Sequence, residues 1–333
     1  MPLEALRYDV TPVGLHYLLV HYDIPLVEPA GWRLAVSGHV ENELTLDLAT
    51  LRELPRRTIR VTMECAGNGR ARLNPRPVSQ PWLNEAVGTA EWTGTPLSGV
   101  LAAAGIRPGA VDVSFAGADH GIERGVEQDY ARGLPLADAM APDVLLVDEM
   151  NGAPLPPQHG APLRLVVPGW YGMAQVKWLT RITVLDRPFD GFQNAVAYRL
   201  KQGDEGGDPV TRIQPRALMV PPGFPDFMSR VRIVDAGPHR LAGRAWSGVA
   251  PVARVEVSTD GGGTWQDAGL GPAGGPWAWR SWTFDWTAEP GSTELCCRAT
   301  DRLGTAQPVD QPWNRQGMAN NMAQRVPVFV RER

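Results

Sequence analysis

The most distinctive segment of the chain reads Met63-Glu64-Cys65-Ala66-Gly67-Asn68-Gly69-Arg70, and it follows an alternating apolar run over residues 58–63. The next cysteine along the chain is Cys296. The alternation predicts a strand, and the glycines behind it allow a tight turn and a close approach of the backbone to a ligand. A lone thiol at that point is either a small buried hydrophobe or a chemically active group.

The residues around Cys65 favour the active interpretation. Arg70 and Arg72 lie close by in the sequence, and cations favour the thiolate, which is the form that binds metals or attacks electrophiles. A nucleophilic cysteine needs histidine and Asn or Asp partners, but no local protease signature surrounds this one. A single soft sulfur ligand that completes the coordination of a metal cofactor is therefore the sharper hypothesis.

Further motifs follow the Cys-Ala-Gly-Asn sequence in a fixed order. They are residues 87–97 (VGTAEWTGTPL), 149–156 (EMNGAPLP), 159–164 (HGAPLR), 176–178 (VKW) and 258–265 (STDGGGTW). In this order and at this spacing, the motifs resemble the sulfite oxidase family of molybdopterin enzymes. The resemblance covers nearly the whole chain.

The length, charge and hydropathy of the chain are those expected of a large enzyme. The 333 residues exceed the size at which one hydrophobic core usually suffices, so two domains are expected. A formal net charge of −4 argues against nucleic acid as a partner. No apolar run approaches the ~20 residues that span a bilayer, so no membrane partner is expected. The first ten residues lack a basic region leading into an apolar one, which predicts a cytoplasmic protein unless an export signal has been trimmed.

The organisation of the chain changes near residue 200. Upstream, short strand-like runs alternate with helix-like pieces such as residues 97–104, which predicts an α+β domain with long loops. Residues 201–227 are rich in Gly, Pro and acidic side chains, as in an exposed connector. Predicted strands then follow at short intervals, over 230–234, 239–246, 252–258, 279–286, 293–300 and 325–330.

That spacing of short strands indicates an immunoglobulin-like β-sandwich. The resemblance gives each half a role. It implies a sulfite oxidase-type, molybdopterin-binding catalytic domain over 1–215 and an immunoglobulin-like dimerisation domain over 216–333, so a homodimer is expected. The three cysteines are too few and too poorly placed for a disulfide framework, and Cys296 and Cys297 are predicted to be structural.

The resemblance also implies an anion pocket. A buried sulfite ion needs cations or several hydrogen-bond donors, and the planar arginine fork suits an oxyanion. Arg70 and Arg325 match pocket arginines of the family. Trp82 matches a tryptophan that lines the pocket, where its indole N–H can donate. Tyr198 matches the active-site tyrosine, whose hydroxyl is expected to contact the substrate and to help couple proton release to electron transfer.

The implied cofactor is molybdenum-molybdopterin. In the family pattern, Cys65 gives the protein sulfur to molybdenum while the pterin dithiolene gives two more. The cofactor tail ends in a phosphate, and His159, Arg164, Lys177 and Asp119 are expected to contact the cofactor. The sequence contains no Cys-x-x-Cys-His haem attachment, so no haem is expected and electrons are predicted to leave to oxygen or to a separate acceptor.

Two positions depart from the family pattern. His21 stands where the family usually has an arginine of the anion pocket, and Asp23 stands where it usually has a histidine of the cofactor site. A histidine is only partly charged near neutrality. If protonated His21 supplies the missing charge, sulfite capture is expected to weaken as this side chain loses its proton.

Together these patterns predict the molybdenum-dependent oxidation of sulfite to sulfate by oxygen-atom transfer. One alternative is a reductase of another oxyanion or of a sulfoxide, built on the same fold. A second alternative is a catalytically idle molybdopterin-binding protein.

Overall fold

The computed structural model describes residues 1–203 and 206–332, and the chain divides into two compact units. The first unit combines Met1–Tyr17, Arg60–Thr89 and the chain from Arg212 onward. The second unit combines Leu18–Ile59 with Ala90–Thr211. Asp204 and Glu205, which belong to the predicted connector, lie outside the described residues.

Strands predominate in the fold. In chain order they are β1 Leu34–Gly38, β2 Leu44–Leu46, β3 Arg57–Glu64, β4 Val87–Pro96, β5 Asp112–Glu123, β6 Val126–Pro135, β7 Leu145–Met150, β8 Ala153–Pro154, β9 Arg164–Val166, β10 Leu179–Leu185, β11 Arg199–Leu200, β12 Asp208–Pro209, β13 Arg216–Met219, β14 Phe224–Pro225, β15 Arg232–Asp235, β16 Gly237–Trp246, β17 Val252–Ser258, β18 Gln266–Asp267, β19 Gly269–Leu270, β20 Arg280–Ala288, β21 Gly291–Asp301 and β22 Gln324–Arg331. Such a run of strands agrees with the many Gly and Pro turn signals of the sequence.

Helices are short. They are α1 Leu48–Glu53, α2 Leu97–Ala104 and α3 Leu136–Ala139. Single 3₁₀ turns occupy Leu3–Arg7, Val13–Leu15, Arg70–Arg72, Pro157–His159 and Gly172–Ala174, and a π-helical turn occupies Gln193–Ala197. The predicted α+β class therefore overstates the helical share of the part of the chain that the structure describes.

The second unit is built on a sheet with strand order β2-β1-β10-β5-β6. Strands β1 and β10 are parallel, with Val36 opposite Ile182. In α2, Leu97, Val100, Leu101 and Ala104 are all buried, which is the spacing of one helix face. These side chains pack in one core with those of β1 and β10, so the helix covers the sheet.

A further sheet of the second unit pairs residues 90–96 of β4 with β7, which also pairs with β8 and β9. Close approach of two of these backbones requires a glycine. A β-carbon at Gly94 would lie 2.0 Å from the carbonyl oxygen of Leu146 in β7. The sequence VGTAEWTGTPL is therefore constrained by strand packing as well as by chemistry.

The first unit contains two sheets, ordered β13-β16-β20-β19 and β14-β15-β22-β21-β17-β18. Side chains of both sheets form one core, with Leu241 and Trp282 from the former and Val255, Leu295 and Val328 from the latter. Every second residue of β22 is buried, as expected for a strand that faces a core on one side.

The elements predicted from sequence are found with small shifts at their ends. Helix 97–104 and strand 252–258 have the predicted bounds, and the other strands predicted beyond residue 230 correspond to β15, β16, β20, β21 and β22. The last division point of the chain lies at Arg212, and the domain boundary after residue 215 stays a prediction. The inclusion of Met1–Tyr17 and Arg60–Thr89 in the same unit as the C-terminal sheets was not foreseen.

We expect Gly94→Ala to destabilise the protein by at least the ~1 to 3 kcal/mol of an overpacked core, because the added methyl group meets rigid backbone. Gly99→Ala is the control. It lies in α2 with open space around the added atom, and it should stabilise the protein by up to ~1 kcal/mol. Urea unfolding of the purified variants measures both effects. Equal unfolding midpoints for the two variants would contradict this account of the sheet.

Candidate active site

Cys65 lies directly after β3, where the chain turns. Its N–H donates to the carbonyl oxygen of Ala86 at 2.9 Å, and its own carbonyl accepts the N–H of Asn68 at 3.0 Å. The N–H of Gly67 points at the thiol, with a nitrogen to sulfur distance of 3.4 Å. The side chain is buried. The predicted arrangement of a strand that opens into a glycine-rich turn at this cysteine is confirmed.

Burial raises the pKa of the Cys65 thiol. The Gly67 N–H, the Arg70 cation and the indole of Trp82 lower this pKa, and the Glu64 carboxylate raises it. Arg70 acts as expected, because its cation lowers this pKa, but desolvation outweighs it and the net shift disfavours the thiolate. A thiolate at this position requires a further positive charge in contact with the sulfur, such as a metal ion.

Glu64, the residue before the thiol, is the centre of a buried polar network. Its carboxylate pairs with Arg216 at 2.6 Å, and the two side chains are only 2% and 1% exposed. Trp246 Nε1 donates to Glu64 Oε2 at 2.8 Å, and Asn68 Nδ2 donates to Oε1 at 2.9 Å. These bonds fix the strand end that carries Cys65.

The network extends through Arg216 to other segments of the first unit. Its guanidinium donates to Asn84 Oδ1 and to the carbonyl oxygen of Asn320, both at 2.9 Å. Asn68 Oδ1 accepts the N–H of Ala86 at 3.1 Å. The sequence analysis missed Glu64 and Arg216. The sequence did contain a signal for this pair: Glu64 ends an apolar strand that is expected to be buried, and a buried carboxylate needs a partner.

Arg70 is held in a fixed orientation close to the thiol. Its Nε donates to the carbonyl oxygen of Gln316 at 2.6 Å, and one terminal nitrogen donates to that of Gln80 at 3.3 Å. The guanidinium covers Gly67, where a β-carbon would come within 2.6 Å of it. The Trp82 carbonyl oxygen accepts the N–H of Ala71 at 3.0 Å, next to Arg70, and the indole nitrogen of Trp82 is buried without a hydrogen-bond partner among the described residues. The turn that follows β3 thus brings Cys65, Arg70 and Trp82 together.

Arg325 occupies a different environment, in β22. One terminal nitrogen lies 2.8 Å from Glu294 Oε1 and the other 3.4 Å from Asp310 Oδ1, and the side chain is 31% exposed. These carboxylates balance its charge. Among the described residues, no hydrogen bond joins Arg325 to Cys65 or Arg70. Its role in an anion pocket stays a prediction.

In the second unit, His21 forms a hydrogen bond with Tyr198. His21 Nε2 and the tyrosine hydroxyl oxygen are 2.7 Å apart. Burial, reinforced by the cation of Lys177, lowers the pKa of His21 to about 4. The imidazole is therefore neutral between pH 6 and 9. The expectation that protonated His21 supplies positive charge near neutrality is wrong, because the fold removes water from the ring and places a cation nearby.

Two residues that the sequence analysis missed, Tyr130 and Arg132, pack against the rings of His21 and Tyr198. The Tyr130 ring lies 4.3 Å from that of His21, centroid to centroid, and its hydroxyl donates to the carbonyl oxygen of Met173. The Arg132 guanidinium lies 5.6 Å from the centroid of Tyr198, in the range of a cation–π contact. Both residues belong to β6, and no motif marks them in the sequence.

The residues predicted to bind the cofactor form a buried cationic cluster in the second unit. Arg164 donates to the carbonyl oxygen of His159 at 2.8 Å and stacks over Trp92 at 4.8 Å. Lys177 Nζ donates to the carbonyl oxygen of Leu19 at 2.8 Å. Burial and the Arg164 cation lower the pKa of Lys177 to about 7. A cluster that suppresses its own charge in this way favours an anionic ligand.

Asp119 borders the same cluster. Burial raises its pKa to about 6, and Lys177 acts in the opposite direction. Among the residues that the structure describes, Asp119 Oδ1 is buried without a hydrogen-bond partner. A ligand with N–H groups would satisfy this oxygen. Asp23 lies outside the cluster, where its carboxylate accepts the N–H of Ile24 at 2.7 Å on the surface.

Comparison with known proteins assigns the chain to a family. The family model of the oxidoreductase molybdopterin binding domain matches residues 21–193, and that of the Mo-co oxidoreductase dimerisation domain matches residues 224–331. The chain belongs to the sulfite oxidase family of molybdopterin-dependent oxidoreductases.

Individual relatives agree with this assignment. The chain is 35% identical to human mitochondrial sulfite oxidase over 99% of its own length and 63% of that protein's. It is 31% identical to an NADH nitrate reductase of Brassica napus over 99% of its length and 40% of that protein's. The crystal structure of the sulfane dehydrogenase SoxCD from Paracoccus pantotrophus superposes with a TM-score of 0.85 at 27% identity, covering 98% of this chain and 82% of that one.

The residues of each unit, taken by itself, have donors that suit a molybdopterin cofactor. The first unit offers a buried soft sulfur donor in Cys65. The second unit offers the cations Arg164 and Lys177, which suit a phosphate, and Asp119 with a buried, unsatisfied acceptor, which suits an N–H group. Among the described residues, His, Cys, Asp and Glu side chains form no group of three or more that could hold a metal ion alone. Within the same residues, no helix is long and apolar enough to cross a membrane.

We expect Glu64→Gln to destabilise the protein by ~3 to 5 kcal/mol, because Arg216 keeps a buried charge without its counterion. Asp235→Asn is the control, since it breaks an ion pair with Arg331 in which both side chains are 47% exposed, and it should cost less than ~1 kcal/mol. Guanidinium unfolding measures both. A Glu64→Gln variant as stable as the control would show that the pair does not organise the turn.

Proposed function

We propose that the protein oxidises sulfite to sulfate at a molybdenum-molybdopterin cofactor. The observation that carries this proposal is the buried Cys65 thiol on the turn that also carries the Arg70 guanidinium, with the unsatisfied indole N–H of Trp82 nearby, because a soft metal ligand then has oxyanion donors on neighbouring residues. Relatives named sulfite oxidase and sulfane dehydrogenase support a sulfur compound as the substrate.

When bound, the molybdenum centre supplies the oxygen atom and accepts two electrons. The chain supplies positions and charge. Cys65 holds the metal, Arg70 binds a sulfite oxygen through its guanidinium, and Trp82 donates its indole N–H to the anion. The fixed bonds of Arg70 to Gln316 and Gln80 mean that little reorganisation accompanies anion binding.

In the second unit, Tyr198 acts on the substrate through its hydroxyl. His159, Arg164 and Lys177 would hold the cofactor, the two cations by attracting its phosphate, and Asp119 would accept a hydrogen bond from it. Arg325 is proposed as a further anion contact on the strength of the family motif alone. No haem is proposed for this chain, so the electrons pass to oxygen or to a separate acceptor.

We also propose a cytoplasmic homodimer. The two sheets that share a core beyond Arg212 support an immunoglobulin-like sandwich, and the match of the family's dimerisation domain to residues 224–331 supports self-association. The proposed boundary in the sequence between the molybdopterin-binding catalytic domain and this dimerisation domain follows residue 215.

Nitrate reduction is the second candidate. The 31% identity to a nitrate reductase and the neutral histidine at position 21, where the family usually has an arginine, favour it. Purified protein is assayed for molybdenum content, for sulfite-dependent dye reduction, and for nitrate- or sulfoxide-dependent oxidation of a reduced viologen. Turnover with sulfite alone supports the first function. Full molybdenum content with turnover only of nitrate or a sulfoxide, or without any turnover, overturns it.

Cys65→Ser should leave the protein folded and abolish sulfite oxidation, because a hydroxyl group does not replace a soft thiolate at the metal. Cys297→Ser makes the same change in the core of the first unit, where the new hydroxyl can donate to Gln324 Oε1 as the thiol does. This control should keep its turnover. Normal sulfite oxidation by Cys65→Ser would exclude the proposed metal ligand.

Self-association is tested by light scattering at micromolar concentration. We expect twice the chain mass of 36.2 kDa. The mass of a protein that lacks the chain from residue 225 onward is then compared with the mass of the full chain. Circular dichroism first establishes that the shortened protein is folded. A monomeric full-length protein would contradict the proposed dimer.

A further inference from the structure

His21, which stands where the family resemblance leads one to expect an arginine, contacts a tyrosine hydroxyl through its ring. The distance of 2.7 Å between His21 Nε2 and the Tyr198 hydroxyl oxygen is that of a well-formed hydrogen bond. The two residues are far apart in sequence and belong to the same unit. Tyr198 is 9% exposed, so its hydroxyl has few other orientations open to it.

The surroundings keep the imidazole neutral. The titratable and charged groups that face it are Tyr22, Tyr130, Tyr198 and Lys177, and Arg132 lies over the far partner Tyr198. The carboxylates of Asp119 and Glu123 act on Tyr22 and Tyr130 behind it. Aromatic rings exclude water, and a nearby ammonium opposes a second cation. Burial accordingly lowers the pKa of His21 to about 4.

A neutral imidazole carries one N–H and one bare nitrogen. A bare imidazole nitrogen is more basic than a phenol oxygen, so the stronger hydrogen bond has the phenol as donor and the imidazole as acceptor. An arginine at this position has five N–H donors and no acceptor, so it would donate to the phenol oxygen instead. The residue at position 21 therefore decides the direction in which the Tyr198 hydroxyl points.

We infer that His21 is a positioning residue that accepts a hydrogen bond from Tyr198 and thereby presents the phenol oxygen to the substrate as an acceptor. The inference rests on the proposed role of Tyr198. A tyrosine hydroxyl oriented in this way pairs with a substrate that carries an O–H or S–H group. The preferred substrate class is therefore the protonated sulfur oxyanion, hydrogen sulfite, rather than the dianion. An arginine at position 21 would favour the dianion.

The direction of the hydrogen bond is testable without turnover. Long-range ¹⁵N–¹H spectra of histidine-labelled full-length protein report the tautomer of each ring, and His21→Gln identifies the signals of His21. We expect a neutral ring with the proton on Nδ1 at pH 7 and a shift of the Nε2 signal in Tyr198→Phe. A protonated ring at pH 7, a proton on Nε2, or an Nε2 signal unmoved by Tyr198→Phe overturns the inference, whatever the enzyme oxidises.

Substrate preference is tested by the KM for total sulfite between pH 6 and 9. For the wild type we expect KM to rise by about tenfold per pH unit above the pKa of hydrogen sulfite, while kcat changes less. His21→Gln should keep this slope, because its amide oxygen can accept from Tyr198. His21→Arg should flatten or reverse it. His120→Arg changes an exposed histidine paired with Asp129 and Glu127, and it should leave the profile as in the wild type.

Parallel profiles for the wild type and His21→Arg, with both proteins folded by circular dichroism, overturn the assigned substrate preference. Should sulfite not be turned over at all, the proposed function fails while the tautomer measurement still decides the hydrogen bond. The two failures are therefore distinguishable.

Discussion

The buried ion pair between Glu64 and Arg216 is the interaction on which the thiol site depends. A carboxylate and a guanidinium that are almost fully removed from water are costly to bury unless most of their remaining donors and acceptors find partners. Trp246, Asn68 and Asn84 supply such partners, the two asparagines from the segment Arg60–Thr89 and the tryptophan from the chain beyond Arg212, while Arg216 Nε has no partner among the described residues. The pair adds little net stability compared with an apolar contact, but it permits very few arrangements of the turn that carries Cys65.

Desolvation governs the chemistry in both units. In the first unit it raises the pKa of Cys65, so that the thiolate depends on a bound cation. In the second unit it lowers the pKa of Lys177 and of His21 and raises that of Asp119. Each of these pKa values is shifted toward the less charged form, and a bound ligand of opposite charge or with N–H donors would reverse the shift for Cys65, Lys177 and Asp119, whereas His21 faces aromatic rings.

The sequence predicted local structure correctly where a motif coincides with the alternation of a strand or the spacing of a helix face. The alternation before Cys65 predicted β3, the spacing of Leu97, Val100, Leu101 and Ala104 marked α2, and the glycine turn located the thiol. It was uninformative where the contact is long-range. Nothing near Arg216 in the chain shows that its partner is Glu64, and nothing near His21 shows that it contacts Tyr198. The charge state of His21 depends on aromatic rings and a lysine that folding brings next to it. The residue type alone therefore predicted a protonated ring where the structure favours a neutral one.

The central claim is that Cys65 is the protein ligand of the molybdenum cofactor. X-ray absorption at the molybdenum edge of the purified, cofactor-loaded protein counts the sulfur neighbours of the metal directly. The account predicts one more sulfur neighbour in the wild type than in Cys65→Ser, with the Cys297→Ser control matching the wild type. Equal sulfur counts in the wild type and Cys65→Ser would contradict it.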